Sequence, residues 1–356
     1  MPILELPGLI DAHVHLRDPG GAHKEDFYTG TSAALHGGIV VVLDMPNNTP
    51  PTTDSLALAE KERQAATKAV CDYGFFAGAS SDNADAIGGL QNVVGLKMYL
   101  NESYGSLRLE KLPLFMKHFR SWPQGRPIAV HAEEHMVAVA IALGQLYEQH
   151  VHICHLSRRM EVELVRRAKE RGLKVTCEVT PHHLFLTAED QRQLGALAYM
   201  KPTLGSADDR QALWENLDII DLIATDHAPH TLEEKRGPNP PPGVPGLETM
   251  LPLLLTAVAE GRLSMEQFIA LTFTGPARVY GLQVGQGNRV IVDTDACYRI
   301  DASHLLTKCA WTPFQGWKVK GRVLRTYVRG TLAYEEGRIL VAPGYGIQIG
   351  RHECMD

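Results

Sequence analysis

The sequence predicts an α/β fold, a TIM-type (β/α)8 barrel carrying a small additional β unit. Three observations support this: eight short apolar or β-branched runs recur between residues 9 and 230, helix-like stretches separate most of them, and strand-like pieces take over after about residue 285. The runs fall at 9–15, 39–46, 72–79, 94–100, 127–133, 151–157, 174–181 and 222–230. Several are continuously apolar rather than alternating, as expected of parallel strands covered on both faces. Between them, 54–68, 136–149 and 161–171 read as helices; the last (EVELVRRAKER) has helical spacing and basic residues in its final turns. Eight such alternations argue for a closed barrel. Residues 236–246 (RGPNPPPGVPG) hold too much proline and glycine for a helix or central strand and read as a rigid loop after the eighth strand. The later pieces, 289–293, 318–327, 331–334 and 338–341, read as strands. The barrel is assigned to residues 8–285 and the small β unit to 1–7 plus 286–356.

Composition narrows the function classes. The 356 residues are 44% hydrophobic and 21% charged, ordinary for a globular protein with a sizeable core. A formal net charge of -6 offers no basic field for nucleic acid or an anionic membrane. The most apolar late run, 250–258, is too short to span a bilayer. The N-terminal MPILELPGLID lacks a basic n-region, so no signal peptide is expected. Six cysteines do not make a disulfide framework, and Cys71, Cys154 and Cys177 sit in apolar runs. A cytoplasmic location is expected.

Side chains at the C-terminal ends of barrel strands line the active site. Strand one ends in Asp11-Ala-His13-Val-His15; alternation puts His13 and His15 on one face, able to grip one metal. Strand four ends near Lys97, five at His131, six at His155 and eight at Asp226. Each alone has an ordinary reading: a hydrogen-bonded histidine, a salt-bridged lysine, an aspartate capping a helix. Together they aim four imidazoles, a carboxylate and an amine at one mouth. Neutral imidazole and carboxylate are good zinc ligands. Two zinc ions held close need a bridging anion, which a lysine amine supplies once CO2 has converted it to a carbamate. Arg17, two residues past His15, lies on the same strand-end face and suits bidentate carboxylate binding, with a plain surface arginine as the alternative.

The motifs DAHVHLRDPG (11–20) and ATDHAPHTLEEK (224–235) resemble the two signatures of dihydroorotases. MPNNTPP (45–51), GLKMYLNE (95–102), HAE (131–133), HICH (152–155), PHHLFL (181–186) and WTPFQGWKVKG (311–321) extend the likeness along almost the whole chain. It is similar to the dihydroorotase domains of the animal multifunctional pyrimidine-synthesis proteins of the CAD type, in the amidohydrolase superfamily. The resemblance implies reversible cyclisation of N-carbamoyl-L-aspartate to L-dihydroorotate plus water, with a zinc-bridging hydroxide and Asp226 as general acid and base. It implies one zinc on His13, His15 and Asp226, a second on His131 and His155, and carboxylated Lys97 shared between them. A third zinc is implied on Cys154, Glu178 and His230, near His13. Cys154 adjoins His155, so an ideal strand points the two to opposite faces, and a buried structural thiol remains the alternative reading.

By the same resemblance Arg17, Asn47 and His230 bind the substrate carboxylate, and Lys201 and Pro242 contact the rest of the ring. Animal relatives usually have arginine where this chain has Lys201, which puts any role of that side chain in doubt. Residues 101–107 (NESYGSL) resemble the family's lid, with Ser103 and Tyr104 where CAD-type relatives have threonine and phenylalanine; an ordinary polar turn is the other reading. The tyrosine hydroxyl and the neighbouring Gly105 are expected to alter closure. A homodimer is implied, with neighbouring enzyme domains on the same polypeptide or a free-standing enzyme. Other cyclic-amide hydrolases (hydantoinase, dihydropyrimidinase, allantoinase) share the metal core but have no use for both Arg17 and His230. An inactive dihydroorotase-like scaffold is the third reading, and loss of a ligand or of Asp226 would be its mark.

Overall fold

The computed structural model describes residues 3–350; residues 1–2 and 351–356, assigned above to the small β unit, lie outside the described residues. The chain enters through β1 (Ile3–Pro7) and then lays down eight parallel strands: β2 (Leu9–Val14), β3 (Ile39–Asp44), β4 (Asp72–Gly78), β5 (Val93–Tyr99), β6 (Ile128–His131), β7 (Val151–Ile153), β8 (Val175–Val179) and β9 (Leu222–Ile223). They neighbour one another in chain order, as in a (β/α)8 barrel. Nearly every residue of these strands is buried, so their continuous apolar character reflects cover on both faces. The remaining strands, β10 (Arg289–Arg299), β11 (Lys318–Val328), β12 (Thr331–Glu335) and β13 (Arg338–Ile339), form an antiparallel sheet with β1 at its edge. β11 alternates in burial, one face on the core and one toward water.

Two of the expected strands are shorter than their apolar runs suggest. The run 222–230 contributes only two residues of strand, and 151–157 only three. In both, the chain turns where a functional residue takes a left-handed conformation: φ is 46° at Asp226 and 38° at His155. The barrel closes just past β9, where Val14 pairs with His227 and the His15 amide donates to the His227 carbonyl at 2.8 Å.

The helices follow their local signals. Asp54 caps the helix Ser55–Lys68 by accepting from the Ala57 amide, and Lys68 sits in its last turn. The other expected helices occupy His135–Leu146 and Arg159–Glu170. Lys61, on the buried side of Ser55–Lys68, reaches Asp44 at the end of β3, 2.6 Å away, both side chains fully buried. The ammonium also donates to the Met45 carbonyl at 2.7 Å and Asn48 Oδ1 at 2.8 Å, while Asp44 Oδ1 accepts from the Leu16 amide at 2.7 Å. This pair therefore ties together the loops after β2 and β3, which carry Arg17 and Asn47.

Candidate active site

His13, on β2, and His15, just past its end, project to the same side, and both reach Asp226. Asp226 Oδ1 lies 3.0 Å from His15 Nε2 and 3.3 Å from His13 Nε2. Asn47 Oδ1 lies 2.7 Å from His15 Nδ1, and the other ring nitrogen, Nε2, faces Asp226 and the pocket. His13 turns its other nitrogen, Nδ1, to Glu178 at the end of β8, and His152 Nε2 holds the second Glu178 oxygen at 3.0 Å. His131 Nδ1 and His155 Nε2 approach to 3.0 Å, and His155 Nδ1 is buried with no hydrogen-bond partner among the described residues. Lys97, fully buried on β5, directs its Nζ at Cys154 Sγ, 2.9 Å away.

The left-handed turn at His155 answers the question left by alternation. Because β7 stops at Ile153, Cys154 and His155 are freed from the opposite-face rule, and both side chains turn toward the cluster. Ligand atoms of His13, His155 and Asp226 lie within 4.8 Å of one another, as do those of His13, Cys154 and Glu178. His230 stands apart from that second group, which corrects its place as a ligand beside Cys154 and Glu178. Four residues past Asp226, it packs instead against Arg17 (Nη2 to Nε2, 3.1 Å), Lys24 and the Pro242 carbonyl.

Electrostatics suit cation binding. Burial opposes ionisation of Asp226, but His13 and His15 outweigh it and hold its carboxyl well below the usual carboxylate range. Glu178 is likewise held low, against burial, by His13 and His152. Burial pushes His15 down to about 4 despite Asp226, and lowers His131 and His155 too. Burial and Lys97 work against protonation of His13, yet Glu178 and Asp226 raise it to about 10. Two ionised carboxylates beside His13 and the neutral imidazoles of His15, His131 and His155, all out of water, form a donor set of the kind zinc takes. The orphaned His155 Nδ1 adds a buried nitrogen in want of a partner, so the residues present fit the metal centre expected of them.

Above this floor, one pocket is lined by Arg17, Asn47, Ser103, Tyr104, Lys201 and Pro242, with His13, His15, Lys97, His131, His155 and Asp226 beneath. Arg17 has φ 64°, a turn that brings its guanidinium under the 228–230 loop, where Nε donates to the Pro229 carbonyl at 3.0 Å. Lys201 pairs at 3.5 Å with Glu102 of the 101–107 segment. Tyr99 and Ala228, inside two of the motifs but given no role there, also line the pocket, as do Met200 and Gly243. Asp11 is a further residue that sequence reasoning left without a role. Its carboxylate accepts from Thr225 Oγ1 (2.5 Å), the Thr225 amide (3.1 Å) and the His13 amide (3.2 Å), fastening β2 to the segment that bears Asp226. Its position two residues before His13 was the available clue.

Comparisons with known proteins agree with this geometry. A model described as the amidohydrolase family matches residues 5–105. The chain is 50% identical over 97% of its length to multifunctional protein CAD of Squalus acanthias, spanning 15% of that protein. It is 37% identical to the dihydroorotase of Pyrococcus furiosus, covering 95% of this chain and 83% of that one. Among solved structures it is similar to L-hydantoinase (dihydropyrimidinase) from Arthrobacter aurescens, with TM-score 0.91, 28% identity and coverage of 98% and 89% of the two chains. It is also similar to the inactive dihydroorotase-like domain of a Chaetomium thermophilum CAD-like multifunctional protein, with TM-score 0.83, 27% identity and coverage of 98% and 99%.

Proposed function

Because the chain belongs to the dihydroorotase family, we propose that it interconverts N-carbamoyl-L-aspartate and L-dihydroorotate, releasing or consuming one water. The observation that supports this reading best is the buried guanidinium of Arg17, in the same pocket as the imidazole–carboxylate cluster. A buried cation is costly unless an anion meets it, and dihydroorotate brings a carboxylate on the ring whose amide is to be cut. Hydantoin and dihydrouracil rings present the amide without that anion.

The roles follow from position. Arg17 and Asn47, with His230 behind them, hold the carboxylate and set the amide over Asp226. In hydrolysis Asp226 takes the proton of the attacking water and returns it to the ring nitrogen as the C–N bond breaks. In synthesis it takes the ureido nitrogen's proton as that nitrogen attacks the side-chain carboxyl. His13, His15 and Asp226 would hold one zinc, His131 and His155 a second, with Lys97 as its carbamate a further ligand, and His13, Cys154 and Glu178 would hold a third. Zinc, when bound, supplies Lewis acidity that polarises a carbonyl and acidifies water. The residues 101–107 serve as the lid that excludes water. The enzyme is placed in the cytoplasm, as a homodimer and as one part of a longer multienzyme chain. The 15% span of its CAD relative supports the last point, and no helix among the described residues is long and apolar enough to cross a membrane.

The test compares kcat/KM for L-dihydroorotate, hydantoin, dihydrouracil and allantoin in the native chain and in Arg17→Gln. The native chain is expected to prefer dihydroorotate. Arg17→Gln is expected to lower kcat/KM for it by about 100-fold or more, the scale of lost charge-assisted bonds to a carboxylate. Equal turnover of the uncharged rings by the native chain would contradict the assignment.

A further inference from the structure

We propose that Lys24 is a positioning residue that couples the lid to the carboxylate-binding corner of the pocket, through the Tyr104 hydroxyl on one side and His230 Nδ1 on the other. The proposal rests on the reading of that corner given above. Lys24 lies in the loop after β2 with its side chain 7% exposed. Its ammonium meets three acceptors: Glu234 Oε1 at 2.8 Å, Tyr104 Oη at 3.0 Å and His230 Nδ1 at 3.2 Å. An ammonium has three N–H bonds, so this set saturates it and leaves a stiff node rather than a floating charge.

The first consequence concerns His230. A nitrogen facing an ammonium accepts, so the imidazole proton resides on Nε2. That N–H points to the Pro242 carbonyl at 3.1 Å and lies 3.1 Å from Arg17 Nη2. Lys24 thus keeps a neutral imidazole in the tautomer whose Nε2–H is held by the Pro242 carbonyl, which fixes the ring beside the guanidinium. Glu234 is held in turn by the Thr231 amide, which donates to its Oε2 at 3.0 Å, so the anchor is built into the start of the helix Leu232–Arg236.

The second consequence concerns the lid. The Tyr104 ring stands edge-on to His230, 4.9 Å between centroids, with the Arg17 guanidinium carbon 5.1 Å from the ring centre. The Tyr104 carbonyl accepts from Asn47 Nδ2 at 3.1 Å. Gly105 follows at φ 105°, a conformation open to glycine, which lets the chain turn away directly after the tyrosine. The hydroxyl is the group that separates this residue from a phenylalanine, and its donor is Lys24. Lid closure and the fixing of the His230 ring therefore share one ammonium.

The test uses zinc-loaded protein. Hydrogen exchange of the amides of residues 101–107, measured by mass spectrometry without substrate, is expected to quicken about 10-fold in Tyr104→Phe, the scale of one bond to a charged donor. KM for dihydroorotate is expected to rise about 10-fold with kcat within about twofold, because the latch acts on closure and not on the chemical step. Lys24→Met should show the same lid exchange, and its His230 15N imidazole resonances should move from the Nε2–H tautomer toward a mixture. Unchanged exchange in Tyr104→Phe overturns the proposal whether or not the chain turns over dihydroorotate, and so does a fall in kcat with unaltered KM. Quickened exchange in a native-like fold that ignores dihydroorotate upholds the latch and overturns the substrate reading instead.

Discussion

Asp226→Asn is expected to lower kcat for dihydroorotate by about 1,000-fold or more while the protein stays folded. Loss of a positioned general base alone removes about 100- to 10,000-fold. Asp226 is also placed to hold zinc, so metal loss adds to that. Asparagine is the informative replacement because Asp226 sits at φ 46°, where asparagine is tolerated and alanine adds strain unrelated to chemistry. The check is steady-state kinetics in both directions alongside circular dichroism. Near-native kcat would remove Asp226 from its role as proton carrier.

Lys61→Met is expected to destabilise the chain by about 3–5 kcal/mol, the usual cost of leaving one member of a buried pair uncompensated. Asp44 Oδ2 has Lys61 as its ion-pair partner, and both side chains are fully buried. Burial alone draws the Lys61 pKa down, and Asp44 opposes that shift. The double variant Asp44→Asn, Lys61→Met is expected to recover much of the loss, since asparagine still accepts from the Leu16 amide without a buried charge. Urea titration reads both. A loss under about 1 kcal/mol in Lys61→Met would show that the buried pair does not organise the two loops as described.

These predictions depend on features of unequal visibility in the sequence. The convergence of His13, His15, Lys97, His131, His155 and Asp226 is legible because one rule places the C-terminal ends of parallel strands at one mouth, and each residue falls in the later part of an apolar run or near its middle. The small sheet was legible too, since strand-like pieces resume after the helical pattern ends. What escaped was backbone conformation inside a run. Nothing in HICH or ATDH announces the left-handed turns at His155 and Asp226, so the strands looked longer than they are. Cys154 and His155 consequently looked opposed. His230 was misplaced for a related reason: its spacing from Asp226 does not show which way the loop leaves the barrel. Pairing with the Val244 segment, through the Ala228 amide and the Val244 carbonyl at 2.9 Å, carries it toward Arg17. Partners distant in sequence, such as Lys61 with Asp44 or Lys24 with Tyr104, had no local signature.

Metal held at the strand ends underlies every catalytic role assigned to these residues. Crystals of the zinc-loaded protein, measured above and below the zinc absorption edge, are predicted to show anomalous peaks beside His13, His15 and Asp226 and beside His131 and His155, with density continuing past Lys97 Nζ as a carbamate. An edge scan without peaks in that cluster, around an unmodified Lys97 in an enzyme active on dihydroorotate, would contradict it.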